Sequence, residues 1–392
     1  MKAKPNWVIV GSLFCFSTLL LGAMEISSPN ETELNLDQSN FYEQETSDEF
    51  ESILNTYQEL QKRSEVIDQE ILAINADIWP LTTLLRDEQP VGKLKREIKG
   101  SKRSNLIHTV RSDQRKPSSL PVKALLEEKQ NEKKSLLENK AQVDSLTRNQ
   151  LTKLQESALH AEGSKSIDFK GNTFLVFIAD LEKDEIKLHL KRPGGSNFYS
   201  LGAVKEYLES KSLTPLMITN AGMFTPTYEP VGVYIEEKSL LYPLDTNPGR
   251  RDANFYLKPN GVFVLDGKNK PLILDTEAYR TALRNKTLQP KLATQSGPML
   301  IKGGVMHNAF LEGSKSLYIR SGVGILSEKK VMFVITKQPI NFYDFALFFK
   351  EIFNCKNALF LDGAISKMYL WDKSPDELGG EFGPIISVSR KM

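Results

Sequence analysis

A chain of 392 residues with 40% hydrophobic side chains is long enough for two or three domains and at least one sizeable core. Its 51 basic and 49 acidic residues nearly cancel, which excludes the global positive field that would recommend nucleic acid as a partner. The charge is nonetheless patterned. Residues 25–51 hold nine acids and no Lys or Arg, residues 86–120 hold ten basic side chains against four acidic ones, and both stretches read as solvated, poorly ordered chain.

The first element is a targeting segment. Lys2 and Lys4 precede the apolar run WVIVGSLFCFSTLLLGA, so residues 1–23 read as an export signal, cleaved after Ala23 or retained as a membrane anchor. Either outcome places the bulk of the protein outside the cytoplasm, in the periplasm or beyond. Cys15 lies in that segment and leaves Cys355 alone, so no disulfide is expected within the mature chain. The four histidines are scattered and no His/Cys pair has zinc-ligand spacing, so no cofactor or metal is predicted.

After an acidic, disordered linker over residues 24–47, a helical region is predicted over 48–162. Ile53, Leu60, Ile67 and Ile74 keep a seven-residue beat, with Tyr57, Ile71 and Ile78 in a second phase that Ser64 interrupts. That seam favours a coiled coil or helical hairpin. Pro80 is expected to stop or kink the helix. A second helix over 122–158 has a poorer stripe, broken by Lys129, Glu132 and Asn139. This region reads as a spacer or a stalk through which the protein forms a homo-oligomer, with a basic loop that could touch anionic lipid or envelope polymer.

From residue 163 to 392 the texture changes. TFLVFIAD, EIKLHLKR, PLMITN, VGVYIEE, GVFVLD, GPMLI, VGIL and KVMFVIT read as strands separated by Gly, Pro and Asn, with a helix over SLGAVKEYLESK. Asn341 followed by Asp344 marks a helix start, and FALFFKEIF links strand KVMFVIT to strand ALFL. A strand–helix–strand crossover thus ends at Asp362, and the expected fold is α/β or α+β with a mixed β-sheet and few helices. An acid closing a buried strand is either a turn former, as Asp362-Gly363 would be, or a working group.

Polar and glycine-containing patches interrupt the strands at 218–224, 249–263, 293–301, 318–325, 335–345 and 360–366. The set has the look of a site assembled at strand ends. Five of its motifs, NAGMF, PNGVF, ATQSGPMLI, IRSGVGI and NALFLDG, in this order and at these intervals, resemble the phosphodiester glycosidase family over about residues 170–390. The helical N-terminal region lies outside the resemblance.

The resemblance implies removal of a sugar joined through its anomeric carbon to a phosphodiester, leaving a phosphomonoester. That reaction needs a carboxylate for the oxocarbenium-like transition state, cations or donors for the phosphate, and polar groups for the sugar hydroxyls. Asp362 is the first choice for the carboxylate, against an Asp-Gly turn. Arg320 is the phosphate clamp, because a guanidinium meets phosphate oxygens with two parallel donors, against a structural salt bridge. Asn220 is the third catalytic choice, against a turn before Gly222. Thr294, Gln295, Ser296 and Gly297 are assigned to substrate on a bend that would expose them, together with Gly363 and Ser366. Arg251, beside Arg250, could add positive charge. Asp344 is a second acid candidate, against a place in a helix first turn. Relatives commonly read LDGG where this chain has Ala364.

The leading expectation is therefore an exported hydrolase of a sugar-1-phosphodiester, with a phosphorylated glycan or glycolipid as its partner. A non-catalytic phosphoglycan-binding or envelope scaffold protein is the alternative, and cleavage of the phosphorus–oxygen bond ranks third.

Overall fold

The computed structural model describes residues 34–86, 119–248, 254–363 and 365–391. The export segment, most of the basic loop, Arg250, Arg251 and Ala364 lie outside the described residues. Contacts divide the chain after Tyr42. Of the first unit only the helical backbone from Leu34 is described, so part of the stretch expected to be a linker is helix.

In chain order the elements begin with the long helices α1 (Leu34–Arg86) and α2 (Ser119–Ala158). They continue with β1 (Gly163–Phe169), β2 (Asn172–Asp180), β3 (Glu185–His189), α3 (Leu201–Ser210), β4 (Leu213–Asn220), β5 (Tyr234–Glu236) and β6 (Ser239–Tyr242). Next come β7 (Gly261–Asp266), β8 (Pro271–Asp275), α4 (Thr276–Arg284), β9 (Pro290–Ser296), β10 (Met299–Lys302) and β11 (Val305–Met306). The last are β12 (Ser321–Ile325), β13 (Lys330–Thr336), α5 (Phe342–Glu351), β14 (Ala358–Asp362), β15 (Met368–Leu370) and β16 (Ile385–Lys391).

Both phases of the seam on α1 turn inward: Phe50 and Tyr57 in one, Ile67, Ile74 and Leu81 in the other are buried. The helix runs on through Pro80 to Arg86, so Pro80 does not stop it. The two helices lie antiparallel. Gln150 reaches the Ile53 carbonyl, while Ser64, the polar break in the seam, donates to Asp144 (2.7 Å) and receives from Lys140, which also pairs with Asp68 (2.7 Å). Ser64 thus fixes register where an apolar residue would slide.

The foot of this hairpin is rooted in the sheet domain. Phe50, Leu54, Tyr57, Leu154 and Ala158 share one apolar cluster with Phe169, Phe174, Phe348 and Phe353. Each such buried side chain contributes about 1.5–3 kcal/mol relative to exposure. Lys330 adds a polar anchor, donating to the carbonyls of His160 and Ala161 just past the end of α2.

The fold is α+β, and every named ladder is antiparallel. A seven-stranded sheet has the order β1-β2-β13-β12-β14-β10-β11, a four-stranded sheet β15-β4-β16-β3, and a five-stranded sheet β6-β5-β9-β7-β8. The crossover through α5 carries the chain from β13 to β14, with β12 between them. One face of the large sheet packs on α5 and the hairpin foot. Its other face packs on residues of the two smaller sheets. The outer faces of those sheets are covered by α3 and α4. β2, β13 and β14 are buried on both faces, which is why they read as continuous apolar runs.

Candidate active site

Asn220 ends β4, Ser296 ends β9, Ser321 opens β12 and Asp362 ends β14, so three sheets bring one end each to the same place. Hydrogen bonds close the cluster. Asn220 Nδ2 donates to Ser321 Oγ and Ser366 Oγ, both at 3.2 Å, and the two hydroxyls lie 2.9 Å apart. Asn220 Oδ1 accepts from the Lys367 N–H at 3.3 Å. Ser296 Oγ donates to the Leu361 carbonyl at 2.6 Å, tying β9 to β14.

The orientation of Asp362 comes from a bulge. Gly322 pairs with Phe360, but Ser321 pairs with Asp362, so β14 carries one extra residue. The two residues of a bulge share the face of the residue they oppose, which turns Asp362 to the side of Ser321 and Asn220. Its Oδ1 accepts from the Gly363 N–H at 2.7 Å, and among the described residues it has no cation partner. Burial raises its pKa, with the Gly363 bond opposing.

Arg320 does not share the expected cleft with Asp362. Successive strand residues face opposite sides, so Arg320 points away from Ser321 into the layer of α5. There Nε donates to the Ile340 carbonyl (2.8 Å), Nη2 donates to the Ser316 carbonyl (2.9 Å), and the guanidinium lies 3.6 Å from the centre of the Phe342 ring. It is 1% exposed, and burial brings its pKa down to about 10. Nε and Nη2 are committed to the start of α5 and to the loop before β12, Nη1 is buried without a hydrogen-bond partner among the described residues, and Asp362 is not among the partners. The two residues expected to share a cleft occupy opposite faces of the large sheet.

The bend expected to expose residues 294–297 is instead the buried end of β9. Thr294 Oγ1 accepts from the Gly222 N–H (3.2 Å). Gln295 Oε1 accepts from the N–H groups of Val233 and Asp245, and its Nε2 donates to the Asp245 carbonyl and to Thr276. These hydrogen bonds hold the neighbouring loops in place, and those of Gln295 use both its amide oxygen and its amide nitrogen. Gly222 is required by proximity, since a Cβ there would lie 2.3 Å from the Gln295 carbonyl oxygen and 2.5 Å from Thr294 Oγ1. Gly297 packs likewise on Asn260.

Asp344 is corrected too. It sits in the first turn of α5, bonded twice to the capping Asn341 and 3.9 Å from Lys170, in the layer that carries Arg320. Ser366 and Gly363, by contrast, are at the cluster. The residue that sequence reasoning passed over is Ser321. Its signal was strand alternation: if Arg320 faces one side, the next side chain faces the other. An open groove of about 460 Å³ lies at the far ends of these strands, where Asp184 pairs with Arg390, and it is remote from Asp362.

Comparison with known proteins now bears on this arrangement. The family model described as phosphodiester glycosidase matches residues 214–382, which begin in β4 and take in every residue of the cluster. A protein of Escherichia coli (strain K12), named uncharacterized protein YigE, is 32% identical over 225 residues, spanning 56% of this chain and 83% of that protein. This chain belongs to the phosphodiester glycosidase family. Among solved structures, the zebrafish N-acetylglucosamine-1-phosphodiester alpha-N-acetylglucosaminidase catalytic domain, auto-inhibited by its pro-peptide, aligns at 15% identity and a TM-score of 0.40, over 57% of this chain and 81% of that one. As a phosphodiester glycosidase family member the chain is expected to perform glycosidase-type chemistry.

Proposed function

We propose that the protein hydrolyses the glycosidic bond of a sugar-1-phosphodiester, with Asp362 as the working carboxylate. The observation that carries this reading is a half-buried carboxylate without a cation partner among the described residues, at the end of β14 on a residue whose backbone carbonyl accepts from Ser321 Oγ, itself bonded to Ser366. A structural Asp in that position would be paired or turned to solvent.

In the reaction the bond between the anomeric carbon and the phosphate oxygen breaks, and the phosphomonoester departs with the electron pair. Water adds its oxygen to the carbon and gives up a proton. Asp362 stabilises the positive charge that develops on the sugar, in a site where low dielectric strengthens the attraction. Phosphate leaves readily as an anion, so a second carboxylic acid is not required. The hydroxyls of Ser321 and Ser366 and the amide of Asn220 serve as donors that hold the site in shape.

The protein acts outside the cytoplasm on an envelope glycan or glycolipid. Lys2, Lys4 and the apolar run behind them support export, and the long hairpin supports a stalk or oligomerisation role. Hydrolysis in heavy-oxygen water tests the chemistry: the label is expected in the sugar. Label in the phosphate would place the cut at phosphorus instead. Binding without turnover across a panel of sugar-1-phosphodiesters would assign a scaffold.

A further inference from the structure

Two tyrosines beside this cluster hold a backbone conformation that the rest of the chain reserves for turn residues. Nine non-glycine residues have positive φ among those described; seven are Lys, Ser, Glu or Asn, and the other two are Tyr199 (φ 63°) and Tyr228 (φ 62°). A bulky residue in the left-handed region is strained, and such strain persists where surrounding structure enforces it, often at ligand sites. Although 29 positions apart in sequence, the two rings meet edge to face at 5.0 Å, and Phe224 stacks on Tyr228 at 5.9 Å. Tyr199 remains 43% exposed.

Their supports lead straight back to Asn220. Tyr228 lies on the tight turn that follows the NAGMF motif, where Thr225 N–H donates to the Glu229 carbonyl. Its hydroxyl donates to Glu381 (2.8 Å), and the neighbouring Phe382 N–H donates to the Tyr199 carbonyl (2.7 Å). Three residues on, Ile385 pairs with Asn220. Between them Gly383 permits close approach: a Cβ there would lie 2.7 Å from the Tyr228 carbonyl oxygen and 2.8 Å from Phe224 Cβ. The rings are thus fixed from both sides, with the Glu381 carboxylate at the Tyr228 hydroxyl and the Thr225 and Thr227 hydroxyls, bonded to each other, in the same turn as Tyr228.

We infer that Tyr199 and Tyr228 form a stacking subsite for a pyranose ring of an extended glycan, next to the Asp362 cluster. An aromatic face covers the C–H face of a sugar, and polar groups at its rim meet the hydroxyls. Core packing does not explain the pair, because a buried position would not leave Tyr199 so exposed. A turn does not require it either, because Gly or Asn would relieve the strain. This deepens the glycosidase reading and rests on it for the link to catalysis: the substrate carries more than one sugar.

The test uses the purified protein with maltotriose, cellotriose and chitotriose as probes, followed by saturation-transfer NMR and calorimetry. At least one trisaccharide is expected to bind, and Tyr199→Gly and Tyr228→Gly are each expected to weaken it about tenfold or more, the scale of one lost ring contact. Glycine suits the backbone at both positions but also removes ring packing and, at Tyr228, the bond to Glu381, so circular dichroism checks that each variant stays folded. The inference is overturned if no trisaccharide binds or if the folded variants bind as the parent does. A parallel assay follows turnover of single-sugar 1-phosphodiesters by the parent. No turnover by the parent, with trisaccharide binding lost in the variants, would remove the glycosidase reading and leave the subsite standing.

Discussion

Ser321 lies opposite Asp362 in the ladder between β12 and β14, and the one-residue slip beside that pair puts Asp362 on the Ser321 side of the sheet, away from Arg320. A regular ladder at this point would exchange the faces. The bulge therefore decides which side chains belong to the site and which hold the helical layer.

Asp362→Asn keeps shape and volume while removing the charge. Turnover of a sugar-1-phosphodiester is expected to fall about a thousandfold or more, with the circular dichroism spectrum unchanged. Activity within a few fold of the parent would transfer the role to another acid.

The same substitution has a pH signature in stability. Burial raises the folded-state pKa of Asp362 above its unfolded value, so the folded form prefers the proton. The stability this carries is complete below the ordinary carboxylate range and is lost as pH rises through the raised folded value. Asp362→Asn imitates the protonated form, so it should be more stable than the parent at pH 7, and the gap should close as pH falls below the carboxylate range. Melting curves across pH check this; a constant gap would mean that the carboxylate is solvated.

Arg320→Ala should unfold rather than merely inactivate. It strips donors from the Ile340 and Ser316 carbonyls and leaves a void against Phe342, a loss of about 3 kcal/mol in denaturant titration. Arg320→Lys restores charge without the planar fork and should recover only part of it. A phosphate clamp would behave differently, with KM rising and Tm unmoved.

Gln295→Leu leaves two backbone N–H groups and one carbonyl without their partner, and it should cost about 2–4 kcal/mol by the same titration. Any surviving folded fraction should show the parent KM, because the amide faces Val233 and Asp245 rather than the sugar.

Gly222→Ala forces the end of β4 off the Gln295 carbonyl, since a Cβ has no space there. Overpacking of this kind costs about 1–3 kcal/mol. The displaced strand carries Asn220, so kcat should fall alongside Tm.

Much of the fold was legible because periodicity and burial act locally. The seam on α1, the capping pair Asn341–Asp344 and the apolar strands β2, β13 and β14 each follow from the spacing of side chains along a few turns or one strand. The motif that ends at Asp362 was readable for the same reason. Arg320 and Asp344 were misplaced because residue type alone cannot say which face of a sheet a side chain occupies. Thr294 and Gln295 were misread because a polar side chain at a strand end looks the same in sequence whether it meets a ligand or a backbone N–H group.

The sequence by itself determined the α+β class, the helical arm and the family, since all three rest on residue order and short-range pattern. Only the tertiary structure decided the company Asp362 keeps. A bulge between two strands and the packing of three sheets act across more than a hundred positions. No local run of residues encodes which partners such long-range contacts will leave free.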